Sequence, residues 1–206
     1  MADYKDFIID VLKRASDIAK SNFGRVSSIS IKEGNNNQIL TETDLEIGTL
    51  IVTKIREAYP EHNIIDEESG CIDNASQYTW VVDPIDGTSN FASRIPTYGI
   101  LIGLLDRGAP IVGGVSLPEY SEIYFAERGK GAFCNNQELH ILNENKLIHS
   151  LVAYGIDGHQ ENPNITKEEC NLLAELVLNI RNLRASNSVF DYMMVAKGNY
   201  GAYLNR

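Results

Sequence analysis

The chain has 206 residues, 43% of them hydrophobic, which is enough to bury a core in one large domain or two small ones and excludes a disordered chain. Its 18 basic and 28 acidic residues give a formal charge of −10, which argues against binding a nucleic-acid polymer through a basic face and would repel a phosphate ester unless cations intervened. Cys71, Cys134 and Cys170 show no zinc spacing or redox pair, and no signal peptide or membrane span is visible, so a reduced cytoplasmic location with no membrane partner is expected.

Phe7, Ile8, Val11, Leu12, Ala15, Ile18, Ala19 and Phe23 recur at helical spacing and predict an amphipathic first helix. Gly34 to Asn37 reads as a polar turn or mobile loop. Thr41-Glu42-Thr43-Asp44 precedes a second helix that runs to about Ala58, with Thr43 and Glu46 as its capping box. Thr43 and Asp44 either only start that helix or also bring an acid to a site. Asn63-Ile64-Ile65 predicts a short strand that ends in Asp66-Glu67-Glu68-Ser69, read either as a solvated loop or as a group that holds a cation.

The stretch from Trp80 to Phe91 carries the most chemistry. Tyr78 to Val82 is aromatic and β-branched and predicts a buried strand, which Pro84 should end because it cannot donate to a sheet ladder. Asp83 then stands at the C-terminal end of that strand, where α/β proteins bind ligands. Asp86 follows a tight turn, and Gly87 lets the backbone bend there. The two carboxylates and the Ile85 carbonyl offer three oxygens to one hard cation such as Mg²⁺. Thr88-Ser89-Asn90 opens a helix whose free N–H groups favour phosphate. The plain alternative is a strand followed by an Asp-Pro turn. If the two acid-bearing strands are neighbours, Glu67 and Asp83 face one metal.

From Tyr98 to Phe133, β-rich segments broken by Asp106-Arg107-Gly108, Pro118-Glu119-Tyr120 and Arg128-Gly129-Lys130 predict an antiparallel meander. A second lobe is expected from about residue 146, giving domains 1–145 and 146–206 unless the chain is one continuous domain. It should hold a strand over Leu147–Ile156, a polar loop over Asp157–Pro163, and a helix over Lys167–Ile180 with Leu172, Leu173, Leu176, Val177 and Ile180 as its apolar stripe. A helix over Val189–Lys197 and a strand over Tyr200–Leu204 follow.

These motifs, in this order, resemble those of the inositol monophosphatase family of Mg²⁺-dependent, lithium-sensitive phosphomonoesterases. The family pattern Asp-Pro-Ile/Leu-Asp-Gly-Thr-x-Asn-Phe stands at Asp83 to Phe91 and its Glu-Glu-Ser element at Glu67 to Ser69. Its Thr-x-x-Asp element stands at Thr41 to Asp44, and a Gly-x-Gly-Ala-Phe-x-Asn hairpin at Gly129 to Asn135. The resemblance implies an α+β fold, an αβαβα layered sandwich of the inositol monophosphatase/fructose bisphosphatase type, usually dimeric. It implies that Glu67, Asp83 and the Ile85 carbonyl hold a first Mg²⁺, that Asp83 and Asp86 share a second, and that Asp44 acts through water near a weaker third. Thr88 with Glu67 would orient and deprotonate the attacking water, and the Gly87 and Thr88 amides would receive the phosphate. An aspartate nucleophile is the alternative route.

Two departures shape the expectation. The family's C-terminal Trp-Asp-x-Ala motif would fall a few residues beyond Asn205-Arg206, so the fold is expected to be C-terminally incomplete and the second metal to lack one carboxylate. Ser186-Asn187-Ser188-Val189 stands where relatives have Gly-Ser/Thr-Ala-Ala, and their substrate-recognising glutamate falls near Asn205, making Ser186, Asn187 and Asn205 the candidate substrate residues. Arg184 and Arg206 are the basic candidates for a second phosphate. Three functions fit: hydrolysis of inositol monophosphate or a related small sugar or polyol phosphate; a fructose-1,6-bisphosphatase or phosphoadenosine-nucleotide phosphatase; or a non-catalytic homologue or inactive fragment that binds metal or phosphate.

Overall fold

The computed structural model describes residues 4–25, 29–31 and 39–205. Arg206 and the Gly34–Asn37 tract lie outside them. The described chain divides into two units, Met1–Glu138 and Leu139–Arg206; the sequence reading puts the division near residue 145.

In the first unit, helix α1 (Tyr4–Asn22) buries Ile8, Val11, Leu12, Ala15 and Ala19, which fall within the expected stripe. Strands β1 (Ile29–Ile31) and β2 (Ile39–Thr41) form a small antiparallel ladder that the sequence reading missed. Helix α2 (Glu42–Ala58) follows directly and buries Ile47, Ile51 and Ile55. Its N-cap is Thr41, paired with Asp44, and not Thr43 with Glu46. The helix starts two residues earlier than the Thr43 cap requires, because β2 delivers the chain in extended geometry up to Thr41, whose φ is −114° and ψ 162°.

The remaining strands of this unit build one sheet: β3 (Asn63–Asp66), β4 (Gly70–Ile72), β5 (Tyr78–Asp86), β6 (Gly99–Asp106), β7 (Ala109–Leu117), β8 (Glu122–Glu127), β9 (Gly131–Cys134) and β10 (Gln137–Glu138). A short helix α3 (Thr88–Ala92) leaves β5. The order is β10-β9-β8-β7-β6-β5-β3-β4, and only β3 and β5 run parallel. The expected meander is therefore β6 to β9. Trp80 and Val82, then Ile100, Ile102 and Leu104, then Val112 bury one face at period two, and α1 and α2 pack there.

Pro84 does not end β5. The ladder to β6 continues through a shift between Asp83, paired with Leu101, and Asp86, paired with Gly99. A proline has no N–H to give a ladder, and an extra, unpaired residue removes the need for one.

The second unit is built on a parallel sheet, β12-β11-β13, of β11 (Leu151–Gly155), β12 (Asn182–Arg184) and β13 (Ala202–Asn205). The region expected as one strand from Leu147 begins instead as a 3₁₀ turn over Leu147–His149. Helix α4 spans Pro163–Val177; the expected start at Lys167 is too late, because proline is well suited to a first turn. Its expected stripe is not buried: Leu172 is 51% and Val177 47% exposed, whereas Ile180, past the helix end, is in the core. Helix α5 (Val189–Ala196) buries Val189 and Met194.

Candidate active site

The first acid is fixed by the start of α2. Asp44 is fully buried. Its Oδ2 accepts the Thr41 N–H at 2.9 Å and also the Thr41 hydroxyl. Its Oδ1 lies 3.1 Å from the Thr88 hydroxyl, which also reaches the Ile85 carbonyl at 2.8 Å. Burial pushes the Asp44 carboxyl up from its ordinary value, against the lowering effect of these bonds.

The parallel pairing of β3 and β5 sets the next acids side by side. Asp66 is opposite Val82, and the Glu67 N–H donates to the Val82 carbonyl at 3.1 Å. Asp83 is the focus. Burial, then the charges of Glu67 and Asp86, then a hydrogen bond with the Glu67 side chain, and lastly Asp44 push its carboxyl up to about 8. A hydrogen bond between two carboxyls requires a proton on one of them. Asp83 Oδ1 is buried and has no hydrogen-bond partner among the described residues. Gly87 turns the chain at φ 86°, in the left-handed region, and caps α3. The structure thus brings Asp44, Glu67, Asp83 and Asp86 together in one unit, with Ile85 and Thr88 tied to Asp44.

Asp66 was named in the acidic run but given no role. It is buried, its Oδ2 accepts the Ser69 hydroxyl, and its Oδ1 has no partner among the described residues. A Cβ on Gly48 of α2 would lie 3.1 Å from Asp66 Oδ2 and 3.2 Å from Pro84 Cγ, so the glycine lets the helix approach both strands. The only sequence signal was the strand period, which turns Asp66 to the same side as Ile64.

The three candidate substrate residues all lie in the second unit. Asn205 ends β13 and pairs with Gly155 of β11. A Cβ on Gly155 would stand 2.5 Å from the Tyr203 hydroxyl, 2.6 Å from Asn187 Oδ1 and 3.1 Å from Asn205 Oδ1, so all three polar groups crowd over that glycine. Asn187 has a φ of 52°, and its side-chain amide donates to Asp157 Oδ1 at 3.0 Å. The N–H groups of Ser186 and Asn187 donate to Asp191 Oδ2 at 2.9 and 3.0 Å. Asp191 went unrecognised in sequence, although Ser188-x-x-Asp191 has helix-capping spacing. The Arg184 guanidinium turns back onto Asn182 of its own strand.

The donors of the first unit suit a hard divalent cation in kind. They are oxygens, and Asp83 has a buried oxygen without a partner beside three further acids. Among the described residues, no group of three or more His, Cys, Asp or Glu side chains already stands arranged to hold a metal. The Glu67–Asp83 hydrogen bond explains this, since a cation would have to take the place of the shared proton.

A mixed sheet under two helices, with an acid cluster at the ends of its parallel strand pair, defines a layered phosphatase fold of the inositol monophosphatase/fructose bisphosphatase type. The chain belongs to the inositol monophosphatase family, whose sequence profile matches residues 2–206. Inositol monophosphatase 2 of Solanum lycopersicum is 31% identical over 193 residues, 91% of this chain and 72% of the relative. A fructose-1,6-bisphosphatase/inositol-1-monophosphatase of Aquifex aeolicus is 28% identical over 182 residues, 88% of this chain and 68% of the relative. The solved IMPase of Thermotoga maritima superposes with a TM-score of 0.89 at 26% identity, covering 98% of this chain and 76% of that one. The family is generally metal-dependent. Among the described residues no helix is long and apolar enough to cross a membrane.

Proposed function

We propose that the chain carries the catalytic acids of a Mg²⁺-dependent phosphomonoesterase for inositol monophosphate or a related small polyol phosphate. The observation that carries this reading is the convergence of Glu67, Asp86 and Asp44 on Asp83, whose carboxyl stands at about 8. Mutually repelling acids kept together in a fold whose net charge is −10 favour a cation.

Glu67, Asp83, Asp86 and the Ile85 carbonyl would hold Mg²⁺. When bound, it would ease deprotonation of the attacking water and stabilise the charge on the leaving oxygen. Thr88 would direct that water: its hydroxyl is held at Ile85 and Asp44, so its lone pairs have a fixed orientation. Glu67 would take the proton the water gives up. The Thr88 amide lies in the first turn of α3, where N–H groups lack helical acceptors; with Gly87 it would receive phosphate oxygens. In the second unit, Asn187 and Asn205 stand with the Tyr203 hydroxyl over Gly155 and offer uncharged groups that match hydroxyls.

The double name of the Aquifex relative favours a second reading, cleavage of a sugar bisphosphate. It needs a cation for the second phosphate, and Arg184 is directed to Asn182 instead. Phosphate release from inositol 1-phosphate and fructose 1,6-bisphosphate, with Mg²⁺ and with chelator, tests both readings. Metal-dependent release from the monophosphate, lost in Glu67→Gln, is expected. No release from either ester would overturn the enzymatic reading.

A further inference from the structure

Asp66 stands where the three acid-bearing segments of the first unit come together. It is the last residue of β3 and is 3% exposed. A Cβ on Gly48 would lie 3.1 Å from Asp66 Oδ2, 3.5 Å from its Oδ1 and 3.2 Å from Pro84 Cγ. Gly48 is about one helical turn past Asp44 on α2, and Pro84 lies between Asp83 and Ile85 on β5. The Asp66 carboxylate and the Pro84 ring thus close on the same bare stretch of helix. A larger residue at position 48 would push α2 away from both strands.

The same carboxylate ties the turn that follows it. Glu67, Glu68 and Ser69 link β3 to β4, and Asp66 pairs with Gly70 across them. Asp66 Oδ2 accepts the Ser69 hydroxyl, which closes the turn from within. The Glu67 N–H donates to the Val82 carbonyl at 3.1 Å, which ties the start of the turn to β5. Glu67 is therefore held twice: by a backbone bond to the strand that carries Asp83, and by a side-chain bond that spans it from Asp66 to Ser69. A short turn fixed at both ends limits where the Glu67 side chain can go, and it meets Asp83.

An acid at this position has a cost. Asp66 Oδ1 is buried and has no hydrogen-bond partner among the described residues. A neutral residue would avoid that open acceptor. A carboxylate, however, holds a hydroxyl roughly twice as strongly as a neutral acceptor does. The arrangement fits a turn whose position matters.

We propose that Asp66 is a positioning residue for Glu67: through Ser69 it fixes the β3–β4 turn, and against Gly48 and Pro84 it fixes that turn relative to Asp44 and Asp83. The proposal rests on the reading of Glu67 as a Mg²⁺ ligand. In this role Asp66 touches neither the cation nor the ester. Its effect on Mg²⁺ is geometric, because that ion demands near-ideal octahedral ligand directions and a loosened Glu67 meets them less often.

Amide hydrogen exchange on the metal-free chain and calorimetry with Mg²⁺ test this. Ser69 is exposed, so Ser69→Ala should leave the fold intact. It is expected to speed exchange at the Glu67 N–H about tenfold relative to the amides of β6, a difference of about 1.4 kcal/mol in local opening. The same variant is expected to weaken Mg²⁺ about tenfold, with the melting temperature in chelator nearly unchanged. Asp66→Asn keeps an oxygen for the Ser69 hydroxyl and is expected to retain most of the protection at Glu67 and most of the affinity. Exchange at Glu67 that merely follows β6 in Ser69→Ala would overturn the proposal. So would Mg²⁺ affinity lost in Asp66→Asn but kept in Ser69→Ala, since Asp66 would then act by its charge. Absence of Mg²⁺ binding by the unsubstituted chain would instead overturn the reading of Glu67 as a ligand, and the exchange rates would still decide whether Asp66 holds its turn.

Discussion

Thr88 donates its hydroxyl toward Asp44 across 3.1 Å, although the two residues stand 44 positions apart in the chain. The contact links the first turn of α2 to the first turn of α3, and the Ile85 carbonyl accepts from the same hydroxyl. The hydroxyl is thus held from two sides. Its removal should impair the alignment of water more than the binding of ester. Thr88→Ala is expected to lower kcat by about a hundredfold, the scale of a small misplacement in a reacting geometry, with KM little changed. Steady-state kinetics on inositol 1-phosphate checks this, and an unchanged kcat would reject the role.

Glu67 and Asp83 give a metal- and pH-dependent signature. Asp83 is raised to about 8 by burial first and by Glu67 and Asp86 next. A carboxyl with a raised folded pKa binds more protons in the folded state than in the unfolded chain. Its contribution to stability is therefore present below its ordinary value near 3.8 and is lost as pH rises towards 8. Thermal unfolding in chelator should show a melting temperature that falls across that window, with added Mg²⁺ restoring it. Asp83→Asn should flatten the fall, raise stability in chelator and abolish the response to Mg²⁺. A variant that still gains stability from Mg²⁺ would place the cation elsewhere.

The sequence carried the chemistry of the first unit further than its backbone. The string from Asp83 to Asn90 pointed to acids, a turn glycine and a hydroxyl that the structure brings close to Glu67 and Asp44. It misjudged Pro84, since whether a proline ends a strand depends on the neighbour: β6 absorbs the extra residue in a shifted register that no local pattern reveals. The cap of α2 slipped from Thr41 to Thr43 for a similar reason. Two overlapping Thr-x-x-acid patterns fit, and the approach of β2 selects one. In α4 the leucines followed a helical period, but Leu172 faces outward and Glu169 is buried, so the period could not say which face is covered. Gly155 stayed hidden because its importance is contact across strands, whereas Asp191 carried a local capping spacing that the alternating apolar pattern of α5 overshadowed.

Gly114 sets how closely α1 lies on the sheet. A Cβ there would come within 2.5 Å of Ile8 Cγ2 and 2.9 Å of Leu12 Cδ1, both on fully buried residues. The backbone of β7 and the helix must then separate. Gly114→Ala is expected to destabilise the fold by roughly 1–3 kcal/mol, the usual cost of an overpacked core. Gly103→Ala on the adjacent strand serves as the control, since its added methyl would meet nothing nearer than 3.9 Å. Denaturant titration of the two variants decides the point, and equal midpoints would mean that α1 shifts at no cost.

Asp191 should act on substrate binding through the loop it holds. It is fully buried, its Oδ2 takes the Ser186 and Asn187 N–H groups, and its Oδ1 has no partner among the described residues. Burial raises its carboxyl, while those N–H bonds lower it. Asp191→Ala would leave two N–H groups without their acceptor and should cost roughly 1–3 kcal/mol of stability. Asp191→Asn keeps an acceptor oxygen and should recover most of that loss. If Asn187 binds a polyol hydroxyl, Asp191→Asn should weaken the binding of free inositol measured by calorimetry while keeping most of the stability. Inositol binding unaltered in Asp191→Asn would mean that Asp191 supports the fold of the second unit and not the recognition of a polyol.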